Sequence, residues 1–524
     1  MQSPAARPGE PARERLRQPG GADVVMRPDR RHRAFWFRLS HGLRRVRAQM
    51  QGGWLARRGR ILLLLFCPGV VAGALAAADR PAATPPSATV EIEEDVYSFE
   101  PANNGAGPLW CSGSTCLVRV GSRVFASGIE TLPDAKPLNN CRWTLYERLT
   151  NGWRRVGADA TDRTREPSPL AALADDRLLL SVNPTLVTNR EAYSGPARPE
   201  ILQFSARDVL RPPVILRPQW DGRPPFSEHS YRSFAADGPG REFMLLQNIG
   251  YTHAEWAFQN RAGQWFKGQL RWPDGREYPQ PQPVRVYYPN VLLRNRAVFF
   301  CGVSDIVEPY PAWRQFKKEL TGQEWDYDFR RLFFTWCPDI TTGKFSAWIE
   351  VASRDSTCGW IMPGDLWVDD DGTAHLVWTE RALDERLRAK FFPAARQSHS
   401  IGYATVREGR LTGRRTLLMA EEGGSGEIPS APRFQVTPDR HLFLIYYVQG
   451  TDAAGRAVSE NRLLEILPGG ETSPAVRVGF QKPFTSYFTA TVRAGSPPSN
   501  TLELLGHRAG GAQTISYARV RLRR

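Results

Sequence analysis

Residues 364–380 read GDLWVDDDGTAHLVWTE. Leu366-Trp367-Val368 and Ala374-His375-Leu376-Val377-Trp378 are two short runs of the branched and aromatic side chains that suit a pleated surface. Between them stand Asp369-Asp370-Asp371-Gly372. Glycine takes positive φ without steric cost and aspartate tolerates it, so Asp-Gly closes a tight antiparallel turn. Related hairpins recur along the chain at intervals of about 60 residues, a period that marks a repeat array.

Worked outward from this hairpin, the chain divides into seven units, the first six of four strands: 116–157, 169–217, 231–270, 290–351, 364–419, 433–478 and 489–522. The seventh unit offers only three strands. A β-prone run at 89–99 precedes the first unit and belongs to none. If it pairs outside the last strand, a ring closes and no sheet edge is left open at the seam. The expected fold is an all-β, seven-bladed β-propeller over residues 90–524. Six or eight blades remain open if one irregular segment is miscounted.

The N-terminus reads differently. The formal charge is +15, but residues 1–60 hold fifteen Arg against four acidic residues and supply +11 of it. The remainder is mildly basic, so nucleic acid is not an expected partner. Arg57, Arg58 and Arg60 precede the apolar run Ile61–Phe66, and small residues follow to Ala78. A basic stretch, an apolar stretch and an A-x-A site make a secretory signal peptide. Residues 1–78 are thus an Arg-rich extension plus signal, with Met1, Met26 and Met50 as alternative starts, and 79–89 form a Pro/Ala linker. The mature protein is expected outside the cytoplasm (secreted, periplasmic or at the cell surface), monomeric, and without a membrane span once the signal is cleaved. Six of the seven cysteines survive cleavage, and the grouping of Cys111, Cys116 and Cys141 predicts at least one local disulfide.

The turns within each strand pair are short, whereas the connections between second and third strands and between units are long. In a propeller the long ones gather on one face, and such loops on a rigid scaffold mark a binding surface. The inter-unit connections bring Arg165, Glu166, Glu228, His229, Tyr287, Tyr288, Trp360, Glu427 and Tyr487 to the channel mouth. The other loops add His253, Trp313, Trp325, Tyr327, Arg386, Lys390 and His399. Aromatic faces pack on sugar rings, Arg and Lys pair with sugar carboxylates or sulfates, and His, Tyr or Glu can move protons. A glycan is therefore the expected partner; the competing reading is an ordinary solvated rim.

His229, in Ser227-Glu228-His229-Ser230-Tyr231-Arg232, is the leading catalytic candidate, because a neutral imidazole serves as a base near neutral pH. Against it stands a structural histidine bonding a neighbouring blade. Tyr288, in the adjacent unit, is placed to face it. Glu427, after the run Gly423-Gly424-Ser425-Gly426, would suit hydrolysis if paired with a second carboxylate such as Glu166, Glu228 or Asp365. Arg165, Glu166, Arg232, His253, Trp313, Trp360 and His399 are the candidate substrate-binding residues. No metal site or cofactor is expected: Asp369–Asp371 lack EF-hand spacing, and Walker, GxSxG and HExxH patterns are missing. Trp313, Phe316 and Leu320, at i, i+3 and i+7, predict a short amphipathic helix lying on the propeller as a lid or wall.

With its Asp-Gly hairpins and its Asn151-Gly152-Trp153 and Gly263-Gln264-Trp265 turns, residues 90–524 resemble the secreted sialidase-like (BNR-repeat-like) propellers. The Asp box of that superfamily is only echoed, by Ser353-Arg354-Asp355-Ser356-Thr357-Cys358-Gly359-Trp360, and the F-R-I-P signature of sialidases is absent. The resemblance extends to propeller polysaccharide lyases, which use His and Tyr for proton abstraction beside a neutralised uronic carboxylate. It implies such parts for His229, Tyr288 and Arg232. Two functions of different class follow: an exported lyase or glycosidase acting on an acidic polysaccharide, or a non-catalytic propeller binding glycan or protein.

Overall fold

The computed structural model of the protein describes residues 84–323 and 326–524. The Arg-rich extension, the signal pattern, the first part of the linker and Trp325 lie outside the described residues. Six four-stranded antiparallel sheets follow one another at 117–158, 170–216, 233–271, 286–353, 360–421 and 426–478. In the seventh, Phe484–Thr489, Thr501–Arg508 and Thr514–Arg523 run from inside to outside. Its outermost strand is Ser87–Ser98, antiparallel to Thr514–Arg523 with Ser87 opposite Arg523 and Ser98 opposite Thr514. The spare N-terminal strand thus completes the incomplete blade. The ring has seven blades.

The 364–380 hairpin shows how the blades stack. Its strands Trp360–Val368 and Ala374–Arg381 pair with Leu366 opposite Leu376. Leu366, Val368, Leu376 and Trp378 enter an apolar cluster with Leu292, Phe299 and Phe334 of the fourth blade. Trp367 and Val377 enter another, with Phe434, Val436 and Leu444 of the sixth. A sheet covered on both faces needs apolar residues in both phases of its two-residue period. Trp378 fits because Gly402 faces it; a Cβ at 402 would lie 2.2 Å from the indole. At the turn, Asp369 Oδ1 accepts from the backbone N–H of Asp371 and Thr373, at 3.1 and 3.0 Å. Asp370 pairs with Arg294 and Arg440, and Asp371 with Arg407. These aspartates shape the turn and tie blades together.

Helix α1 (Pro311–Thr321) lies in the fourth-blade insertion and α2 (Glu385–Phe391) in that of the fifth. Pro311 suits the first helical turn, and Gly322 ends α1 at φ +70°. Trp313 meets Phe392 and Phe316 meets Phe391, with ring centroids 5.4 and 5.6 Å apart. The inner face of α1 differs from the expected one. Leu320 is 53% exposed, while Lys317 is buried and donates to Glu308 at 2.7 Å. A buried ammonium tolerates this position because carboxylates surround it: Glu308, Asp326 and Asp384.

The channel is filled from both ends. At the end where the inner strands begin, residues 110–115 cross the bore. Ser114 Oγ accepts from Phe234 N, Arg433 Nη2 donates to Ser112 O, and Thr115 Oγ1 donates to Thr489 O. Gly113 passes so close to the fourth blade that a Cβ would lie 2.1 Å from Pro289 O. At the opposite end, the 490–500 connection of the seventh blade reaches across. Ala494 O accepts from Ala172 N and Arg493 O from Ala236 N. The Arg493 side chain then runs between the two plugs, donating to Asp365 Oδ1 at 2.7 Å and to Gly113 O at 2.6 Å.

The expected disulfide among Cys111, Cys116 and Cys141 is not formed; these three, with Cys301, Cys337 and Cys358, are free and buried. Each sits in a different setting: Cys111 in the plug, Cys116 with its thiol toward Ser168 O, and Cys141 on a strand beside Asn104. Burial pushes the Cys116 and Cys141 thiols up to about 11 and about 12.

Candidate functional site

Residues 227–231 are anchored to the second blade by Asn183 Nδ2 donating to Ser227 O and Gly195 N donating to Glu228. This brings His229 and Ser230 onto Glu166, which arrives from the preceding inter-blade connection. Glu166 accepts from His229 Nδ1 at 2.9 Å, Ser230 N at 3.1 Å and Ser230 Oγ at 2.6 Å. Burial pulls the Glu166 carboxyl upward. The His229 hydrogen bond and charge, with Arg165 and Arg232, outweigh this and hold it at about 2. Burial lowers the pKa of His229 from its usual value, with Glu166 pulling it back and Arg165 and Arg285 adding to the fall. At neutral pH the pair is therefore a carboxylate and a neutral imidazole. Glu166 can only accept, so Nδ1 carries the proton and Nε2 keeps its lone pair. The imidazole is 32% exposed. This is the geometry of an oriented base.

Aromatic rings enclose it. The Tyr231 ring lies 4.3 Å from the imidazole, and the plug supplies Trp110, 6.2 Å from His229 and 5.7 Å from Tyr231. Tyr288 stands edge-on to Tyr231 at 5.5 Å. Tyr231 and Tyr288 occupy corresponding bends at the start of adjacent inner strands, at φ +41° and +51°. For bulky side chains this backbone costs about 1–3 kcal/mol each, and such strain collects at functional sites. Burial raises the pKa of both phenols, so both stay protonated. A small, partly open void of about 10 Å³ lies among Trp110, Tyr231, Tyr288, Gly113, Arg232 and Pro289. That is room for about one water.

Behind the rings, Arg285 Nη2 pairs with Asp305 at 3.0 Å, both nearly fully buried. Burial raises Asp305 to about 6 against the opposing pull of Arg285. Arg165 sits beside the dyad with its Nε donating to Asn104 O at 3.1 Å. Its two terminal nitrogens carry no hydrogen bond among the described residues.

The structure gathers Arg165, Glu166, His229 and Tyr288 at one place and distributes the other candidates elsewhere. Arg232 is 2% exposed and donates to the carbonyls of Ser181 and Pro167, so it clamps backbone and cannot face a substrate. His253 is on a strand, with its ring nitrogens on Thr252 and Glu255. Trp313 packs against Phe392 and lies over the Arg330 guanidinium. Trp360 and His399 belong to the fifth blade, each paired with Arg381 in the ladder. Glu427 is held by Arg462 through two hydrogen bonds of 2.9 Å, which lower its pKa and leave it a poor proton donor. Trp110 and Tyr231 were not among the candidates. Tyr231 stands two residues past His229, a local signal; Trp110 had none, because only the folded plug carries it to the site.

No family model matches this chain, and no curated protein matches it. Similar solved structures include an alpha-L-arabinanase of Penicillium chrysogenum, at 10% identity over 83% of this chain and 98% of that one, with a TM-score of 0.36. An alpha-L-arabinofuranosidase of Fusarium graminearum gives 9% identity, 82% and 98% coverage and a TM-score of 0.36. A Synechocystis apocarotenoid oxygenase gives 10% identity, 84% and 94% coverage and a TM-score of 0.40. Likeness at this level carries no argument about chemistry.

Proposed function

We propose that the protein is an exported propeller that cleaves an acidic glycan by β-elimination at the Glu166–His229 dyad. The observation that carries this reading is the 2.9 Å bond from His229 Nδ1 to Glu166, which leaves Nε2 without a hydrogen bond among the described residues, with the Tyr231 ring 4.3 Å from the imidazole. Nε2 takes the proton from the carbon next to a uronate carboxylate. The electrons form a ring double bond, the glycosidic C–O bond breaks, and the leaving oxygen takes the phenol proton of Tyr231. Arg165 pairs with the carboxylate, and Trp110 and Tyr288 pack on the sugar. The hydrolytic alternative is less well served. It needs two carboxylates flanking the bond, whereas Glu166 is sequestered by three hydrogen bonds, Asp305 by Arg285, and Glu427 by Arg462. Kinship with the sialidase-like propellers, and release by cleavage near Ala76 or Ala78, belong to the same proposal.

The filled bore favours a second reading, a non-catalytic glycan binder. Incubation of the purified protein with a panel of uronate polysaccharides separates the two. Unsaturated uronate, read by its ultraviolet absorbance, supports elimination; new reducing ends without it indicate hydrolysis. Retention on a glycan with neither signal indicates the binder.

A further inference from the structure

A stack of side chains leads away from the dyad. Tyr231 stacks on Tyr287 with centroids 3.6 Å apart; the Arg285 guanidinium lies 4.0 Å from the Tyr287 ring and 3.9 Å from that of Tyr251. Tyr251 ends the stack and is 47% exposed. A single exposed tyrosine is ordinary, but this one is fixed from three sides. Arg285 lies against one face of its ring, its hydroxyl is 3.3 Å from that of Tyr327, and its turn is pinned by Tyr287 Oη donating to Gly250 O at 3.3 Å. Asn248 Nδ2 in turn donates to Tyr287 Oη at 2.5 Å. The turn is only three residues long, between Glu242–Ile249 and His253–Gln259, so it has little freedom of its own.

We infer that the outer face of Tyr251 is a second sugar-binding subsite, taking a neighbouring residue of the same glycan chain that reaches His229. This rests on the glycan reading above and extends it: the substrate is a polymer lying outward over the junction of the third and fourth blades. A ring already held in place loses little conformational freedom on binding.

Binding without turnover tests the subsite independently of the chemistry. Affinity electrophoresis of the full chain through gels containing polygalacturonate, alginate or hyaluronan is run with His229→Ala, His229→Ala/Tyr251→Ala and His229→Ala/Tyr251→Phe. At least one polymer should retard the first. The alanine double variant should bind it about tenfold more weakly, which corresponds to about 1.4 kcal/mol, and the phenylalanine one should bind it nearly as well. Thermal melting confirms that each is folded. Equal retardation of all three, or none by any polymer, overturns the subsite. Equal weakening by the Phe and Ala changes also overturns it, because the role would then lie in the Tyr327 contact. Failure of the elimination reading shows separately, as absence of unsaturated product from the unmodified protein that still binds.

Discussion

Glu166 and His229, 63 residues apart in the chain, meet at 2.9 Å through Oε1 and Nδ1. The carboxylate is buried and fixed by Ser230, and the imidazole is oriented and partly open. If this bond positions a base, Glu166→Gln should lower kcat by about 100-fold or more, with KM little changed. It should also shift the acid limb of the pH–rate profile. In the unmodified protein that limb should lie below the usual imidazole range, because burial lowers His229. Glu166 raises the His229 pKa, so its loss should move the limb to still lower pH. A His229 of purely structural use would leave the profile unchanged.

The same carboxylate couples stability to acid. Its pKa is about 2 in the folded protein and 4.5 ordinarily, so the stabilisation is fully present above 4.5. It is lost as pH falls toward 2, where the folded carboxylate is finally protonated. Asp305 acts in the opposite sense, because it is raised to about 6 and binds its proton in the folded state first. Melting temperature measured from pH 5 to about pH 2 should fall less steeply for Glu166→Gln than for the unmodified protein.

Inside the bore Arg493 ties its own plug to the inner strand of the fifth blade through Asp365, with side chains 4% and 1% exposed. Removing one member leaves the other charged and buried. Arg493→Met should therefore cost about 3–5 kcal/mol in chemical denaturation. Arg493→Met combined with Asp365→Leu should recover part of that loss.

Ring closure depends on Ser87–Ser98. Its ion pairs Arg521–Glu91 and Arg148–Glu94 are partly exposed and contribute little; the ladder with Thr514–Arg523 does most. A protein lacking residues 84–98 should expose the Thr514–Arg523 edge, melt at lower temperature and self-associate in light scattering. An unchanged monomer would show that closure does not need this strand.

Much of the ring was legible because its rules are local. Asp-Gly turns, alternating apolar residues and a stray strand before the first unit specify blades, and they do so without knowledge of neighbours. The position of His229, just before the inner strand Ser233–Asp237, was legible too. What failed was decided by contacts between segments distant in the chain. Arg232 looked like a substrate ligand, yet two backbone carbonyls of other segments take its guanidinium. Trp110 gave no local signal, because only the folded plug carries it to the dyad. Glu427 reads as a free carboxylate until Arg462, 35 residues later, closes on it. The three clustered cysteines suggested a bridge, but packing turns their thiols to separate partners.

Elimination and hydrolysis differ by one water, and mass spectrometry reads that water directly. A uronate polysaccharide turned over by the protein is digested in oxygen-18 water, in parallel with the His229→Ala variant. Elimination at the dyad predicts products lighter by one water than hydrolysis would give, free of oxygen-18, and formed only when His229 is present. Oxygen-18 in the new chain ends, or full activity in the His229→Ala variant, would contradict it.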